Sequence, residues 1–388
     1  MIMLIYFLIY IPFVLCAFYD LQSENKHMKK TILSFWGIVF TLFRGLRWDT
    51  GTDWDQFLQV YNQSHWYNVF SYVRYVSDVG ASHMDYGYMF LNALFHELGL
   101  GYTMFLLFTN FIIMWCFKYF CLKMTKYPIL TMILLMNVGM PFPVRQSISF
   151  AILLWGYQFL NKKDVKKYLL VVFCAFTIHK GALIGFPLAI LPYLDKLYKI
   201  KWSVWMAIYI STFFIAKVFN SYISNAVQAL SAYSGELNAV SSTYAQWEDT
   251  TIGLEGGFNN SAFNGLSFTL IFFLLLYLRE KKNYDCSVYI KNFNLFFLLY
   301  ATAACFNNLI SSSTSPFMAE IVGRSISSID MYPVVFPLIF VCFENLSKNV
   351  AWKSCLACIF VLFMLYKFWN QIPGSFYSDL FIPYKSIL

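Results

Sequence analysis

Long apolar runs separated by short polar loops constrain this chain most, because they are too numerous to be buried in one soluble core. Over 388 residues the chain is 59% hydrophobic and only 12% charged, with a mean hydropathy of +0.56. A soluble domain carries about 25% charged residues. We therefore predict a polytopic membrane protein. The first run, "MIMLIYFLIYIPFVLCAF", lacks the positive n-region and small-residue cleavage site of a signal peptide, so it predicts a retained span.

The apolar runs predict about twelve transmembrane helices, several of them short or broken, since a span needs about 17 to 25 residues and neighbours can satisfy a broken helix. The predicted spans are 1–18, 30–43, 86–117, 127–140, 144–160, 167–179, 181–194, 202–219, 264–278, 290–307, 330–344 and 350–368. The run 86–117 begins as a short helix that leads into its span. The predicted fold class is all-α, a single transmembrane domain over residues 1–388 with interfacial helices at the outer face.

Lysines in the short loops predict the orientation, because positive charge resists translocation. Most of the 28 lysines and arginines lie in six segments that alternate along the predicted spans: "NKHMKK", "KYFCLKMTK", "NKKDVKK", "DKLYKIK", "REKKNYDCSVYIK" and "SKNVAWK". These segments are expected in the cytoplasm, which places both termini outside. The net charge of +8 therefore needs no nucleic-acid partner, since nucleic-acid binding requires a contiguous basic face.

The arginines are distributed differently from the lysines. All except Arg279 fall outside or at the outer ends of the predicted spans: Arg44, Arg47, Arg74, Arg145 and Arg324. Guanidinium is a planar, permanently charged group that binds phosphate or carboxylate through two donors. The set therefore predicts an anionic ligand at the outer face. The alternative is that these arginines pair with nearby aspartates and only fold the outer loops.

Two segments between spans are long enough to be structured outside the membrane. Residues 44–85 are rich in Tyr, Trp, Asp and His. They predict a segment of interfacial helices at the outer face, whose aromatic face anchors at headgroup depth or stacks on sugar rings. Residues 220–263 are polar with a glycine-rich end, and predict an outer loop that covers the outer cavity.

Three further stretches place chemically active groups at the same outer depth. "MPFPVRQS" breaks the chain between two spans and puts Arg145 in the first turn of the next helix, where backbone amides attract anions. "FTIHKGALIGFP" puts His179 and Lys180 at the mouth of a broken hairpin, where a histidine can accept a proton from a hydroxyl. "EIVGRSISSIDMYPVVFPLIF" puts Arg324 before a span. For each group, a structural role at the membrane boundary is the alternative.

Neither a metal nor another cofactor is predicted. The nine cysteines are scattered, mostly in apolar runs. The pair Cys355 and Cys358 lies in a hydrophobic segment, where packing is the expected role. No metal-ligand spacing is visible along the chain.

Six short motifs, several of them already described, follow one another along the chain in a characteristic order. They are "RxxxGTDxxxF" from Arg47 to Phe57, "DYGY" at 85–88, "VRQSISFAILLWGYQFL" at 144–160, "FTIHKGALIGFPLAIL" at 176–191, "GRSISSIDMY" at 323–332 and "IPYKSIL" at 382–388. Together they resemble the EpsG-type branch of the Wzy repeat-unit polymerases, over essentially the whole chain. The chain departs from the common pattern at Trp54 and Asp85, where family members commonly have Tyr and Glu.

The resemblance implies an enzyme similar to the GT-C glycosyltransferases, which polymerises O-antigen or capsular repeat units at the outer face of the bacterial inner membrane. The implied donor is an undecaprenyl-pyrophosphate-linked oligosaccharide, and the acceptor is a sugar hydroxyl of another lipid-linked unit. Membrane lipid and a Wzz-type chain-length regulator are the expected partners. Direct displacement with net inversion and without a metal is the expected chemistry.

The candidate site residues have distinct expected roles. His179 is the first candidate for the general base and Asp53 is the second. Binding of the pyrophosphate is expected from four cationic side chains: Arg47, Arg145, Lys180 and Arg324. Contacts with the glycan are expected from Arg44, Gln146, Asp85 and Tyr88.

Two other functions remain open. A ligase or acyltransferase of the same compartment would use similar outer cations and a histidine, and would differ in its acceptor. A transporter of lipid-linked glycan would show paired repeats and charges near mid-membrane. The clustering of charges on the outer side favours an enzyme.

Overall fold

The computed structural model describes residues 4–51, 54–70, 75–77, 80–82, 84–138, 144–201, 203–212, 214–215, 222, 289–311, 326, 329–338, 350–372 and 378–387. These residues fall into two compact units. The first lies within Met1–Ala182, Val288–Lys291 and Pro337–Leu388, and the second within Leu183–Ser287 and Asn292–Phe336.

The first unit is built mainly from helices. Its first eight are α1 (Leu4–Gln22), α2 (Lys26–Gly45), α3 (Trp54–Gln63), α4 (Tyr86–Glu97), α5 (Tyr102–Met124), α6 (Pro128–Val138), α7 (Arg145–Asn161) and α8 (Val165–Ile178). The helices Val350–Gln371 and Ser378–Phe381 follow near the C-terminus. Its described residues also include a 3-10 turn at Trp66–Asn68 and an antiparallel hairpin of β1 (Tyr75–Ser77) and β2 (Gly80–Ser82).

The described part of the second unit contains several short pieces and one long helix. They are Gly185–Leu188, a 3-10 turn at Leu191–Tyr193, Asp195–Tyr198, Ser203–Thr212, Phe293–Ser311 and Tyr332–Val335. A 3-10 turn at Lys180–Ile184 leads from the first unit into the second. Within the second unit the Trp205 ring packs edge-on against Phe297, with ring centroids 5.7 Å apart.

Local sequence signals explain several helix ends. The Asn25 side chain accepts a hydrogen bond from the Met28 N–H at 3.1 Å and begins α2. Asp164 does the same for α8 through the Lys167 N–H at 3.3 Å. The predicted run 86–117 is divided because Gly99 and Gly101 adopt positive φ angles of 67° and 42°. The short helix predicted to lead into that span is therefore α4, and the span itself is α5.

Three helices in the described part of the chain are long and apolar enough to cross a membrane: Leu4–Gln22, Tyr102–Met124 and Lys353–Asn370. Shorter apolar helices lie at Lys180–Tyr193, Ser203–Thr212 and Phe293–Asn307. The described residues are mainly helical, as predicted. They differ from the predicted all-α class in the short hairpin of β1 and β2. The predicted span 264–278 lies outside the described residues, so the count of twelve stays a prediction.

The long helices of the first unit bury one set of apolar side chains and leave another set exposed. Phe13, Phe40 and Phe105 are buried, whereas Leu8 and Ile38 are each 61% exposed. An apolar surface of this kind on a helix suits contact with lipid. Residues 44–85 were expected to form interfacial helices, and they form α3, the 3-10 turn and the hairpin. The predicted loop 220–263 lies outside the described residues, apart from Tyr222.

The predicted cytoplasmic loops of the first unit lie together at one end of its helices. Lys29 forms a buried ion pair with Asp20 at 2.8 Å, and Lys126 pairs with Glu24 at 3.4 Å. The Lys126 N–H also donates to the Tyr289 carbonyl at 2.9 Å. The lysine-rich segments near residues 26–30, 118–126 and 289–291 therefore share one end, as their alternation along the spans predicted.

Candidate active site

The hairpin of α7 and α8 brings Arg145 and His179 to the same end of the first unit. The Ser149 hydroxyl of α7 donates to the Ala175 carbonyl of α8 at 3.0 Å. Arg145 lies one helical turn before Ser149, and His179 lies one turn after Ala175. Because the two helices are antiparallel, both residues occupy the end opposite to the lysine-rich loops.

The N-terminus of α4 packs against the end of α8. A Cβ atom placed on Gly87 would lie 2.5 Å from Thr177 Oγ1 and 2.9 Å from the Thr177 carbonyl carbon. Only glycine fits this contact without moving one of the two backbones. Asp85, directly before α4, is thereby held beside the same end of the α7–α8 hairpin.

Arg145 connects these elements. Its Nη1 donates to Asp85 Oδ2 at 3.3 Å. Its guanidinium carbon lies 5.6 Å from the Phe57 ring centroid and 5.9 Å from that of Tyr88, at cation–π distance. Arg145 Nε is buried and has no hydrogen-bond partner among the described residues, while 23% of the side chain is exposed. The guanidinium is therefore oriented by the protein, and its exposed part can donate to an anion.

A backbone hydrogen bond determines the tautomer of His179. The Gly181 N–H donates to His179 Nδ1 at 3.0 Å. Since a backbone N–H can only donate, Nδ1 carries no proton, and the neutral imidazole has its proton on Nε2. In this arrangement Nε2 is a donor. To act as a base, His179 would have to accept a proton at Nδ1 and give up the bond from Gly181.

The charged loop after α2 surrounds a second arginine. Arg47 is only 4% exposed, donates from Nη1 to the Thr50 carbonyl at 3.3 Å, and has its guanidinium carbon 5.4 Å from the Trp54 ring centroid. Burial lowers the pKa of Arg47 to about 10, and the nearby Tyr102 opposes that shift. Arg47 therefore stays positively charged at neutral pH.

The C-terminal segment is attached to this loop. The Trp48 N–H donates to the Lys385 carbonyl at 3.0 Å, and the Ile387 N–H donates to the Leu46 carbonyl at 3.1 Å. The Lys385 ammonium pairs with Asp49. The arginine–aspartate loop and the motif "IPYKSIL" are therefore two parts of one structure, which accounts for part of the charge in the loop.

An aromatic cleft opens next to the same loop. Its volume is about 570 Å³, and its lining includes Trp48, Tyr61, His96, Tyr102 and Ile387. Trp48 is 40% exposed. Flat aromatic walls of this kind suit stacking on sugar rings, which is one of the two roles predicted for the aromatic residues of 44–85.

The remaining predicted site residues are spread over this end of the unit. Gln146 is partly exposed in the first turn of α7, and Lys180 is exposed directly after His179. Tyr88 is fully buried and reaches the site through Arg145. Arg44 is 2% exposed and lies beside the Tyr10 hydroxyl, so a glycan would reach it only if its neighbours moved.

Asp53 and Arg324, two predicted site residues, lie outside the described residues. Their roles stay predictions.

Sequence reasoning missed some contributors to this end of the unit. Phe57 and Thr177 were overlooked because an aromatic ring and a hydroxyl near a span are common packing residues. The position of Phe57 in "RxxxGTDxxxF" and of Thr177 in "FTIHKG" was the available signal.

Lipid-facing helices with a cationic site at one end define this chain as a helical integral membrane protein. The chain belongs to the EpsG family, whose model matches residues 30–386. This match confirms the family predicted from the motifs, and membership supports a membrane protein of the polysaccharide-polymerase kind. No match was found among the curated proteins or among the solved structures.

Proposed function

We propose that this protein polymerises polysaccharide repeat units. The donor is an oligosaccharide linked to undecaprenyl pyrophosphate, and the acceptor is a sugar hydroxyl of a second lipid-linked unit. The reaction takes place at the outer face of the bacterial inner membrane, within a twelve-span topology that leaves both termini outside. A Wzz-type protein is the proposed regulator of chain length.

The arrangement of Arg145 carries the proposal. It combines a guanidinium held by Asp85 and two rings, a buried Nε without a partner in the described part of the chain, and a position in the first turn of α7. A diphosphate needs fixed donors of this type, and helix N-terminal amides add to the attraction. Arg47 and Lys180 supply further positive charge at the same end.

The chemistry follows from the bonds that change. The acceptor hydroxyl oxygen attacks the anomeric carbon, and the bond from that carbon to the diphosphate oxygen breaks with its electron pair. The negative charge that develops on the leaving diphosphate is stabilised by the arginines, so the reaction proceeds without a metal. Direct displacement inverts the anomeric configuration.

We assign His179 the role of hydrogen-bond donor from Nε2 to a donor or acceptor oxygen, because the Gly181 N–H occupies Nδ1. This assignment revises the role of general base expected from the sequence. The acceptor proton then goes to a carboxylate, for which Asp53 is the proposed residue.

Glycan analysis of a deletion strain tests the proposed function. A polymerase predicts lipid-linked single repeats and the loss of long chains. Accumulation of full-length lipid-linked polymer would instead identify a ligase. Retention of lipid-linked repeats on the cytoplasmic face would identify a transporter.

Two His179 variants test the role of the imidazole, with purified enzyme acting on lipid-linked repeat units. His179→Gln retains an N–H donor and is expected to keep measurable chain extension. His179→Ala is expected to lose at least tenfold more activity than His179→Gln. If both variants are equally inactive while Asp53→Asn retains activity, His179 is the base and the donor assignment is wrong.

A further inference from the structure

A cluster of two histidines and a glutamate lies at the far end of α4 from Asp85. His65 begins the 3-10 turn after α3, and His96 and Glu97 end α4. Each offers a ligand atom, and the three atoms all lie within 4.8 Å of one another. The cluster is about 16 Å along α4 from the Arg145 site, at 1.5 Å per residue. It is therefore separate from the proposed catalytic groups.

The contacts of the two imidazoles indicate which ring nitrogen each would offer to a metal ion. His96 Nδ1 lies 3.0 Å from the Ser64 carbonyl oxygen, which can only accept, so Nδ1 is the donor. His65 Nδ1 lies 2.8 Å from Glu97 Oε1, so these two atoms share a proton that a metal ion bound between them would replace. A histidine that binds a metal characteristically donates its other ring N–H to a backbone carbonyl or a carboxylate. His96 does so, which leaves its Nε2 for the metal.

The histidine rings are also held in orientation. The two centroids lie 4.7 Å apart at an interplanar angle of 74°. Tyr67 stacks on His65 with centroids 5.1 Å apart and planes within 10°, and Tyr61 packs edge-on against His96 at 5.4 Å. About a third of the His65 side chain and of the Glu97 side chain is exposed. A metal ion from solvent can therefore reach ligands that are already positioned.

We propose that His65, His96 and Glu97 bind one divalent transition-metal ion and that the ion ties the turn after α3 to the end of α4. Two imidazoles and one carboxylate match the ligand preference of Zn²⁺, whereas Mg²⁺ and Ca²⁺ prefer oxygen ligands. Bonds of about 2.0–2.2 Å require the ligand atoms to be within about 4 Å of one another. The 4.8 Å limit of the cluster exceeds this distance by about 1 Å, so metal binding requires the side chains to move closer by about that amount.

The site has a structural consequence for the aromatic cleft. His96 contributes to the cleft wall together with Tyr61 and Tyr102. An ion that holds His96 to His65 also holds this part of the wall in place. The expected effect of the metal is therefore on stability and on the order of the segment between α3 and α4, without a part in glycosyl transfer.

Metal binding to the purified, chelator-treated full-length protein tests the proposal. Zn²⁺ is titrated in competition with a zinc-sensitive dye, and Mg²⁺ serves as the comparison ion. The wild-type protein is expected to bind one Zn²⁺ that His65→Ala and His96→Ala abolish. Glu97→Gln is expected to weaken binding, because a neutral amide replaces the negatively charged carboxylate ligand. His27→Ala, which removes an exposed histidine from the lysine-rich end, is the matched control and is expected to bind like the wild type.

Thermal unfolding provides a second readout that does not depend on activity. Zn²⁺ is expected to raise the Tm of the wild type and of His27→Ala, and to leave that of His65→Ala unchanged. Equal Zn²⁺ binding by wild type and both histidine variants would overturn the proposal. The proposal would also be overturned if the variants are less stable but Zn²⁺ does not change the Tm of the wild type. The cluster would then be a His65–Glu97 ion pair only.

Discussion

Replacement of Arg145 by lysine tests whether diphosphate binding needs the several N–H donors of the guanidinium or only a positive charge at this position. Arg145→Lys keeps a cation that can pair with Asp85, but it removes the planar donor set, including the buried Nε that has no partner among the described residues. A bound donor can reach the exposed part of the guanidinium, so the substitution is expected to affect donor binding more than the fold.

The expected magnitude follows from one lost charge-assisted hydrogen bond. Such a bond contributes about 1.5–3 kcal/mol, and each 1.36 kcal/mol corresponds to about a tenfold change in rate. We therefore expect Arg145→Lys to lower the rate of chain extension by about 10- to 150-fold. Only 9% of the Asp85 side chain is exposed, but the substituted lysine keeps a positive charge to pair with it. The free energy of unfolding is therefore expected to change by less than the roughly 3–5 kcal/mol of a fully broken buried pair.

The assay measures product ladders from lipid-linked repeat units with purified enzyme in detergent or nanodiscs. Arg279→Lys is the matched control, because it makes the same substitution in a predicted cytoplasmic segment outside the described residues. Its rate is expected to equal that of the wild type. Membrane levels and Tm are measured for each variant to exclude loss of folded protein.

A double-variant cycle that combines Arg145→Lys with Asp85→Asn tests whether Arg145 binds the donor or only holds Asp85 in place. If Arg145 only holds Asp85 in place, Asp85→Asn alone reproduces the loss, and adding Arg145→Lys lowers the rate no further. If Arg145 binds the donor, Arg145→Lys still lowers the rate in the Asp85→Asn background. If Arg145→Lys extends chains at the wild-type rate, the forked contact with the donor is ruled out and Arg145 has only the structural role given above as the alternative.

Three further expectations concern packing, stability and orientation. Gly87→Ala is expected to destabilise the first unit by about 1–3 kcal/mol and to reduce activity, because the new methyl overlaps Thr177. Gly37→Ala, whose methyl would meet only Met114 Cβ at 3.8 Å, is the control, and equal unfolding curves for the two would contradict the packing. Asp20→Asn is expected to lower the free energy of unfolding by about 3–5 kcal/mol, measured by denaturant titration, because it leaves Lys29 buried without its carboxylate. In a cysteine-free background, an impermeant thiol reagent should label Tyr67→Cys from outside but not Lys166→Cys, and labelling of Lys166→Cys would reverse the proposed orientation.

Local sequence properties were sufficient to predict the membrane class, many helix positions and the family. Apolar run length depends only on neighbouring residues, so α1, α7 and α8 agree closely with the predicted spans 1–18, 144–160 and 167–179. Positive φ angles at two glycines were also a local effect, and they separate α4 from α5. The order of short motifs predicted the EpsG family, and the family match confirmed it.

Tertiary structure decided which distant residues meet. Asp85 and Arg145 are 60 positions apart, and Lys385 pairs with Asp49 across 336 positions. Sequence alone left it open whether the outer arginines pair with acids, and the structure brings Arg145 to Asp85 while burying Arg47 among aromatic rings. The proton position on His179 depends on where the Gly181 amide points, which no residue type specifies. Such contacts depend on how helices pack, because hydropathy and spacing describe each segment by itself and carry no information about the segment that lies against it.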